Sequence, residues 1–333
     1  MNLNSKKIGI SGGSGFLGRR IVDELQKKGA EVVAPRSSEY NFTLEKDTER
    51  FFVSHNLDMF VHSAALYGGL GINEKMPAHI FNYNMQMLLN IFKHSINYSL
   101  GSEGKGIPRI EKMISISSAC GYPSKWGDNM REEFLWEGEL DKSVLNYGMV
   151  KKLMETLGHV YRNQHELHSI TLPLATLYGE NDTFNPFRSH VPAALIRKFV
   201  EAEQKKEPFV NLWGTPDSVR EFMYVGDAAK GIVLAIEKFD GIDNVGYSSK
   251  YTLNIGSGEG ITIDYLATTI KDIIGYKGDI IYNGKSPGQK SKALVVERME
   301  KVLNWHPQTS LRDGLEKTIN WYVKNKEKAD EKF

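Results

Sequence analysis

A single cysteine among 333 residues rules out an internal disulfide, and with it the small stapled folds of secreted proteins. Charge of one sign is scarce as well: 42 lysines and arginines face 41 aspartates and glutamates. No electrostatic footprint therefore points to nucleic acid or a membrane surface as partner. No apolar run reaches the roughly 20 residues of a membrane span. The opening Met1-Asn-Leu-Asn-Ser-Lys-Lys7 leads into a short strand without the apolar stretch of a signal peptide. These absences favour a reducing cytoplasm and small-molecule chemistry. No internal repeat or low-complexity segment stands out, and the length suits one body with two lobes.

What is present is an alternation. Short β-rich runs at 7–11, 31–34, 59–62, 112–117 and 169–177 are separated by helix-like runs that include 16–28, 79–98 and 144–164. That rhythm predicts stacked βαβ units, an α/β fold with a parallel sheet. The stretch 101–106 reads as a surface excursion between helix and strand. Past Tyr178-Gly179 the pattern loosens, with Asn, Pro and Phe clustered over 181–187, as suits a substrate-side lobe. Residues 310–322 read as a capped amphipathic helix closing the chain.

The first chemical signal is Gly12-x-x-Gly15-x-x-Gly18, between the first strand and the first helix. Glycines there let the backbone turn tightly against a pyrophosphate, while the helix N-terminus offers N–H groups to the anion. The fold expected is thus a Rossmann-type doubly wound sheet with a smaller C-terminal lobe. Residues 1–178 would form the dinucleotide domain, which also receives segments around 220–258, and 179–333 mainly the substrate lobe. After the second strand comes Val33-Ala-Pro-Arg36, with no acid for ribose hydroxyls and an arginine for a 2′-phosphate. NADP(H) is the cofactor expected over NAD.

Tyr147 and Lys151, four apart, share one helix face. A nearby ammonium favours the phenolate, so Lys151 is expected to lower the pKa of Tyr147. Ser117-Ser118 ends a strand just ahead of Cys120. A hydroxyl and a phenol can serve a carbonyl oxygen, and a thiol can serve carbon.

The chain resembles the extended short-chain dehydrogenase/reductases, and among them it is most similar to the GDP-L-fucose synthases. The likeness spans nearly the whole chain. It rests on His62-Ser-Ala-Ala65 with Gly68-Gly69, Ser118-Ala-Cys120-Gly-Tyr-Pro123, Tyr147-Gly-Met-Val-Lys151, Leu177-Tyr-Gly179, Ser189-His190-Val191, Trp213-Gly214, Arg220-Glu-Phe222 and Asn254-Ile-Gly-Ser-Gly258. The resemblance implies a GDP-4-keto-6-deoxy sugar substrate, epimerised at C3 and C5 and reduced at C4 by NADPH in a cytoplasmic homodimer. It assigns Cys120 and His190 to proton transfer at carbon, and Ser118, Tyr147 and Lys151 to reduction. Ser14, Phe16, Leu17, Ala64 and Ala65 join the glycines and Arg36 around the cofactor, as do Tyr147 and Lys151. Lys198, Trp213, Arg220 and Lys285 fall at nucleotide-sugar positions, and no metal is implied. Departures are Lys198 for an arginine, Thr176 for asparagine, Ala119 for serine, Gly226 for aspartate and Leu145-Asn146 for an acid and proline; these leave the sugar open, a colitose-type product included.

A related 4,6-dehydratase would carry threonine and two acids where Ser118-Ala119-Cys120 stands. A C4-reductase without epimerase activity would need neither thiol nor imidazole. A noncatalytic NADP-binding regulator would tolerate loss of Tyr147 or Lys151. Retention of all these groups favours the bifunctional enzyme.

Overall fold

Central strands with continuous apolar runs organise the computed structural model, which describes residues 1–284 and 289–330. The first half runs β1 (Lys7–Ser11), α1 (Phe16–Lys27), β2 (Glu31–Val33), α2 (Glu45–Ser54), β3 (Met59–His62), α3 (Leu70–Lys75), α4 (Pro77–His94), β4 (Ile96–Ser102), β5 (Lys105–Pro108), β6 (Lys112–Ser118), α5 (Leu145–His165) and β7 (Ser169–Leu174). The second half runs β8 (Thr176–Tyr178), α6 (Val191–Lys205), β9 (Phe209–Leu212), β10 (Val219–Tyr224), α7 (Val225–Lys238), α8 (Tyr247–Lys250), β11 (Gly260–Thr262), α9 (Ile263–Ile274), β12 (Asp279–Tyr282), β13 (Ser291–Lys292), α10 (Glu297–Leu303), α11 (Leu311–Lys324) and α12 (Lys326–Asp330).

The main sheet is parallel, in the order β2-β1-β3-β6-β7. Every residue of β3 and β7 is buried, as expected of strands covered on both faces. One face meets α1 and α7 through Ile21, Leu25, Ile232 and Ile236, and the other meets α2, α4 and α5 through Phe51, Phe92, Val150 and Met154. Truncating one of these rings, such as Phe51 at 0% exposure, costs about 3–5 kcal/mol. Later chain returns to this sheet through bridges from Thr252 to Thr171 and from Ile255 to Leu174. A separate core forms where Ile196, Phe199, Leu266, Ile270 and Tyr322 bring α6, α9 and α11 together. That core backs a second sheet of β11, β10 and β13, with β8 paired to β10.

Three boundaries differ from the sequence expectation. The helix expected over 79–98 ends at His94, and the expected surface excursion is part of a β4–β5 hairpin. Glu103 at φ 55° and Gly104 at φ 76° supply the successive left-handed residues that a tight hairpin turn requires. The strand expected over 169–177 is broken at Ala175, whose N–H donates to Ile255 O at 3.1 Å. Beyond the break, β8 leaves the main sheet and pairs with β10.

Candidate active site

Residues from the β1, β3 and β6 ends and from the second lobe line one cleft of about 960 Å³. Open α/β sheets bind ligands at the carboxyl ends of their strands. Gly12 turns at φ +72°, and a Cβ there would lie 2.9 Å from the Ala64 Cα. At Gly18 a Cβ would overlap the Gly12 carbonyl oxygen. The loop therefore packs against both α1 and β3, with no side chain capping the N-terminus of α1. Ser11 Oγ accepts the N–H groups of Ser63 and Ala64, both at 3.1 Å, and lies 2.9 Å from His62 Nδ1. Burial, then the charge of Lys151, holds His62 neutral, with a pKa of about 3. Arg19 donates to the carbonyls of Gly15 at 3.1 Å and Ser14 at 2.9 Å, and to Asn181 Oδ1 at 2.7 Å. With the Arg20–Glu180 ion pair at 3.2 Å, it ties the loop to the second lobe. Gly18→Ala is expected to weaken NADPH binding at least tenfold, about 1.4 kcal/mol, measured by fluorescence titration of the cofactor.

Ser14, Gly15, Phe16, Leu17, Ala64 and Ala65 also line the cleft. Arg36 does not, although Pro35 and Ser37 on either side of it do. Its N–H donates to the Glu39 carboxylate at 2.9 Å, and its carbonyl accepts the N–H groups of Glu39 and Tyr40. The backbone of the 36–40 segment thus closes on itself.

Ser118, Cys120, Tyr147, Lys151 and His190 line the same cleft. A 3-10 turn follows β6, and the Cys120 N–H donates to Ser118 Oγ at 3.2 Å. Ser117 Oγ donates to the Lys151 carbonyl at 2.7 Å, pinning α5 against β6. Lys151 Nζ sits 5.4 Å from the Tyr147 ring centroid and donates to the Ile116 carbonyl at 2.7 Å. The expectation that Lys151 lowers the Tyr147 pKa is corrected here. Burial, with Cys120 and then Tyr67 nearby, pushes the phenol up, so it keeps its proton. Burial likewise pushes the Lys151 ammonium down to about 7, against the opposing pull of Cys120.

Cys120 Sγ lies 3.1 Å from Lys292 Nζ. Burial alone would raise the thiol pKa, but the charge and hydrogen bond of Lys292, with that of Ser118, outweigh it and hold the thiol low. His190 stands at the N-cap of α6. Its ring stacks on Tyr67, with centroids 5.8 Å apart and planes 15° apart. Burial, then Lys292, takes its pKa down to about 4.

Lys198, Trp213 and Arg220 line the second-lobe side. Trp213 is 74% exposed, with Lys198 Nζ 5.7 Å from its centroid. Lys198 donates to the Asn211 carbonyl at 2.8 Å. Arg220 donates to the carbonyls of Val219 at 2.7 Å, Gln289 at 2.6 Å and Lys290 at 3.2 Å. Lys285 lies outside the described residues. Sequence reasoning missed Arg19, Tyr67, Asp141 and Lys292. Tyr67 stands between two of the quoted motifs and could have been found there, whereas Lys292 belongs to no motif.

A profile of the NAD dependent epimerase/dehydratase family matches residues 8–256. The putative GDP-L-fucose synthase 2 of Arabidopsis thaliana is 32% identical over 322 residues, 96% of this chain and 93% of that protein. The GDP-L-fucose synthase of Sinorhizobium fredii is 31% identical over 324 residues, 97% of each. Among solved structures, a GDP-6-OMe-4-keto-L-xylo-heptose reductase from C. jejuni superposes with a TM-score of 0.86 at 24% identity, over 98% of this chain and 99% of that one; that likeness is one of fold. The family match and the relatives agree: the chain belongs to the NAD dependent epimerase/dehydratase family and, within it, to the members resembling GDP-L-fucose synthase.

Proposed function

We propose that the protein is an NADPH-dependent 3,5-epimerase/4-reductase of a GDP-4-keto-6-deoxyhexose, forming GDP-L-fucose. One observation carries the reading: Ser118, Tyr147 and Lys151 line one cleft with Cys120 and His190. The glycine loop fits a dinucleotide, since Gly12 and Gly18 leave no room for a Cβ and α1 presents uncapped N–H groups. Arg36, with no acid at the end of β2, supports NADPH over NADH. The bound cofactor supplies the hydride delivered to C4.

Protons beside a ketone are acidic because the electron pair left behind is shared with oxygen as an enolate. Cys120, as the thiolate, takes such a proton onto sulfur as the C–H bond breaks; His190, after taking up a proton from solvent, returns one to carbon from the opposite face, and the sulfur's proton passes to solvent so that the pair is reset. The same exchange serves both neighbouring carbons. Ser118 and Tyr147 donate hydrogen bonds to the C4 oxygen, stabilising the enolate first and the alkoxide later. Tyr147, holding its proton through burial, gives it up as hydride arrives. Lys151 holds the nicotinamide ribose and offers charge beside that oxygen. Arg220, Lys198 and Trp213, with Lys285, take the diphosphate and base. Lys198 grips phosphate as a point charge, without an arginine's planar fork.

The enzyme is further proposed as a cytoplasmic homodimer joined through α4 and α5, which expose Leu89 and Val160. Residues 1–178 are assigned to the cofactor and 179–333 mainly to the nucleotide sugar. The test is NADPH oxidation followed spectrophotometrically with GDP-4-keto-6-deoxymannose, expected to yield one GDP-6-deoxyhexose per NADPH consumed. Cofactor binding without oxidation of NADPH by any GDP-4-keto sugar would show a noncatalytic binder instead.

A further inference from the structure

Cys120 and Lys292 are 172 positions apart in the chain, and they belong to different sheets. Cys120 follows β6 of the main sheet, whereas Lys292 sits in β13 of the second. The backbone around Lys292 is held from two sides. Ser291 and Lys292 pair with Val219 and Arg220 of β10. On the other flank Ala293 N–H donates to the Gly127 carbonyl at 3.1 Å, and Val295 N–H to the Met130 carbonyl at 3.1 Å. The ammonium is thus delivered to the thiol by a strand locked on both edges.

The other charged groups facing the sulfur are committed elsewhere. Lys151 of α5 donates to the Ile116 carbonyl, and Arg220 of β10 to three carbonyls. Asp141, ahead of α5, accepts from the N–H and O–H of Ser143 and from the Gln289 N–H. Tyr147 of α5 is kept protonated, and His190 of α6 is kept neutral. Ser118 offers only a hydroxyl. Among the described residues, the thiol is the one hydrogen-bond partner of the Lys292 ammonium.

We propose that Lys292 is the positioning residue that keeps Cys120 as a thiolate, making sulfur the group that takes the first proton from carbon. This rests on the epimerase reading above. A thiolate is stabilised by a neighbouring ammonium as a carboxylate is, and only the thiolate can accept a proton. The same charge, after burial, also holds the His190 imidazole neutral.

Because the chain has a single cysteine, alkylation reports this one sulfur. The test is the iodoacetamide reaction rate against pH for the full-length protein, Lys292→Met and Lys292→Arg, with melting curves to confirm folding. The parent is expected to show a midpoint below the roughly 8.5 of a free thiol. Lys292→Met should raise it by at least about one unit, slowing alkylation near pH 7 about tenfold, and Lys292→Arg should restore most of the loss. Deuterium exchange into C3 and C5 of the substrate should fall in the same proportion. Coincident midpoints for the parent and a folded Lys292→Met would overturn the proposal. A shifted midpoint in a protein whose parent form exchanges no deuterium would uphold the Cys120–Lys292 pairing and reject the epimerase reading.

Discussion

Cys120→Ser is expected to slow deuterium exchange at C3 and C5 by about 10²–10⁴-fold, the range that a positioned proton-transfer group contributes. A serine hydroxyl stays protonated beside Lys292, because its pKa lies far above any value one ammonium could bring to neutrality. The group nearest the substrate carbon would then be a donor with nothing to accept. Reduction at C4 should survive in this variant. Ser118, Tyr147 and Lys151 remain in place; Cys120 bears on the charges of Tyr147 and Lys151 only after burial, and a ketone with its C3 and C5 centres already inverted should be reduced at close to the parent rate. The measurement is proton NMR of the product formed in D₂O, beside NADPH oxidation on both ketones. Exchange at the parent rate would remove Cys120 from the reaction.

Tyr147→Phe gives the mirror image. Reduction should fall by about 10²–10⁴-fold, because the phenol is the proton source for the alkoxide and burial keeps that proton in place near neutral pH. Proton exchange at C3 and C5 should continue at a lower rate, since Ser118 remains to hold the enolate oxygen. The epimerised ketone should therefore accumulate, detected as deuterium-labelled keto sugar with little NADPH consumed. Equal losses in exchange and reduction would show that Tyr147 serves both steps alike. The two variants together separate proton transfer at carbon from proton transfer at oxygen.

Much of this was legible in the sequence because the informative groups are close in the chain. The glycine loop lies between one strand and one helix, so its chemistry follows from local geometry. Tyr147 and Lys151 share a helix face by their spacing, and Ser118 and Cys120 are neighbours across one short turn. What escaped depends on distant pairing and on burial. Lys292 reaches Cys120 only because β13 pairs with β10 in the second sheet, and nothing in the run from 285 to 292 singles it out. Arg36 has the charge expected for a 2′-phosphate and stands between two lining residues, Pro35 and Ser37. The Tyr147 pKa went the opposite way from the spacing argument. The cost of burying a phenolate, with Cys120 and Tyr67 nearby, pushes the phenol up, and the ammonium of Lys151 is itself buried and bonded to a carbonyl. The β4–β5 hairpin was read as a loop because its turn residues signal a break, while its strands carry too few apolar positions to register.

The most direct test of the central claim is a single reaction of the parent enzyme in D₂O with GDP-4-keto-6-deoxymannose and NADPH, followed by NMR of the sugar. The account expects a reduced 6-deoxyhexose with deuterium at both C3 and C5 and the hydride-derived hydrogen at C4. A reduced product carrying no deuterium at either neighbouring carbon would contradict it, and would make the protein a simple C4-reductase whose Cys120 and His190 move no protons.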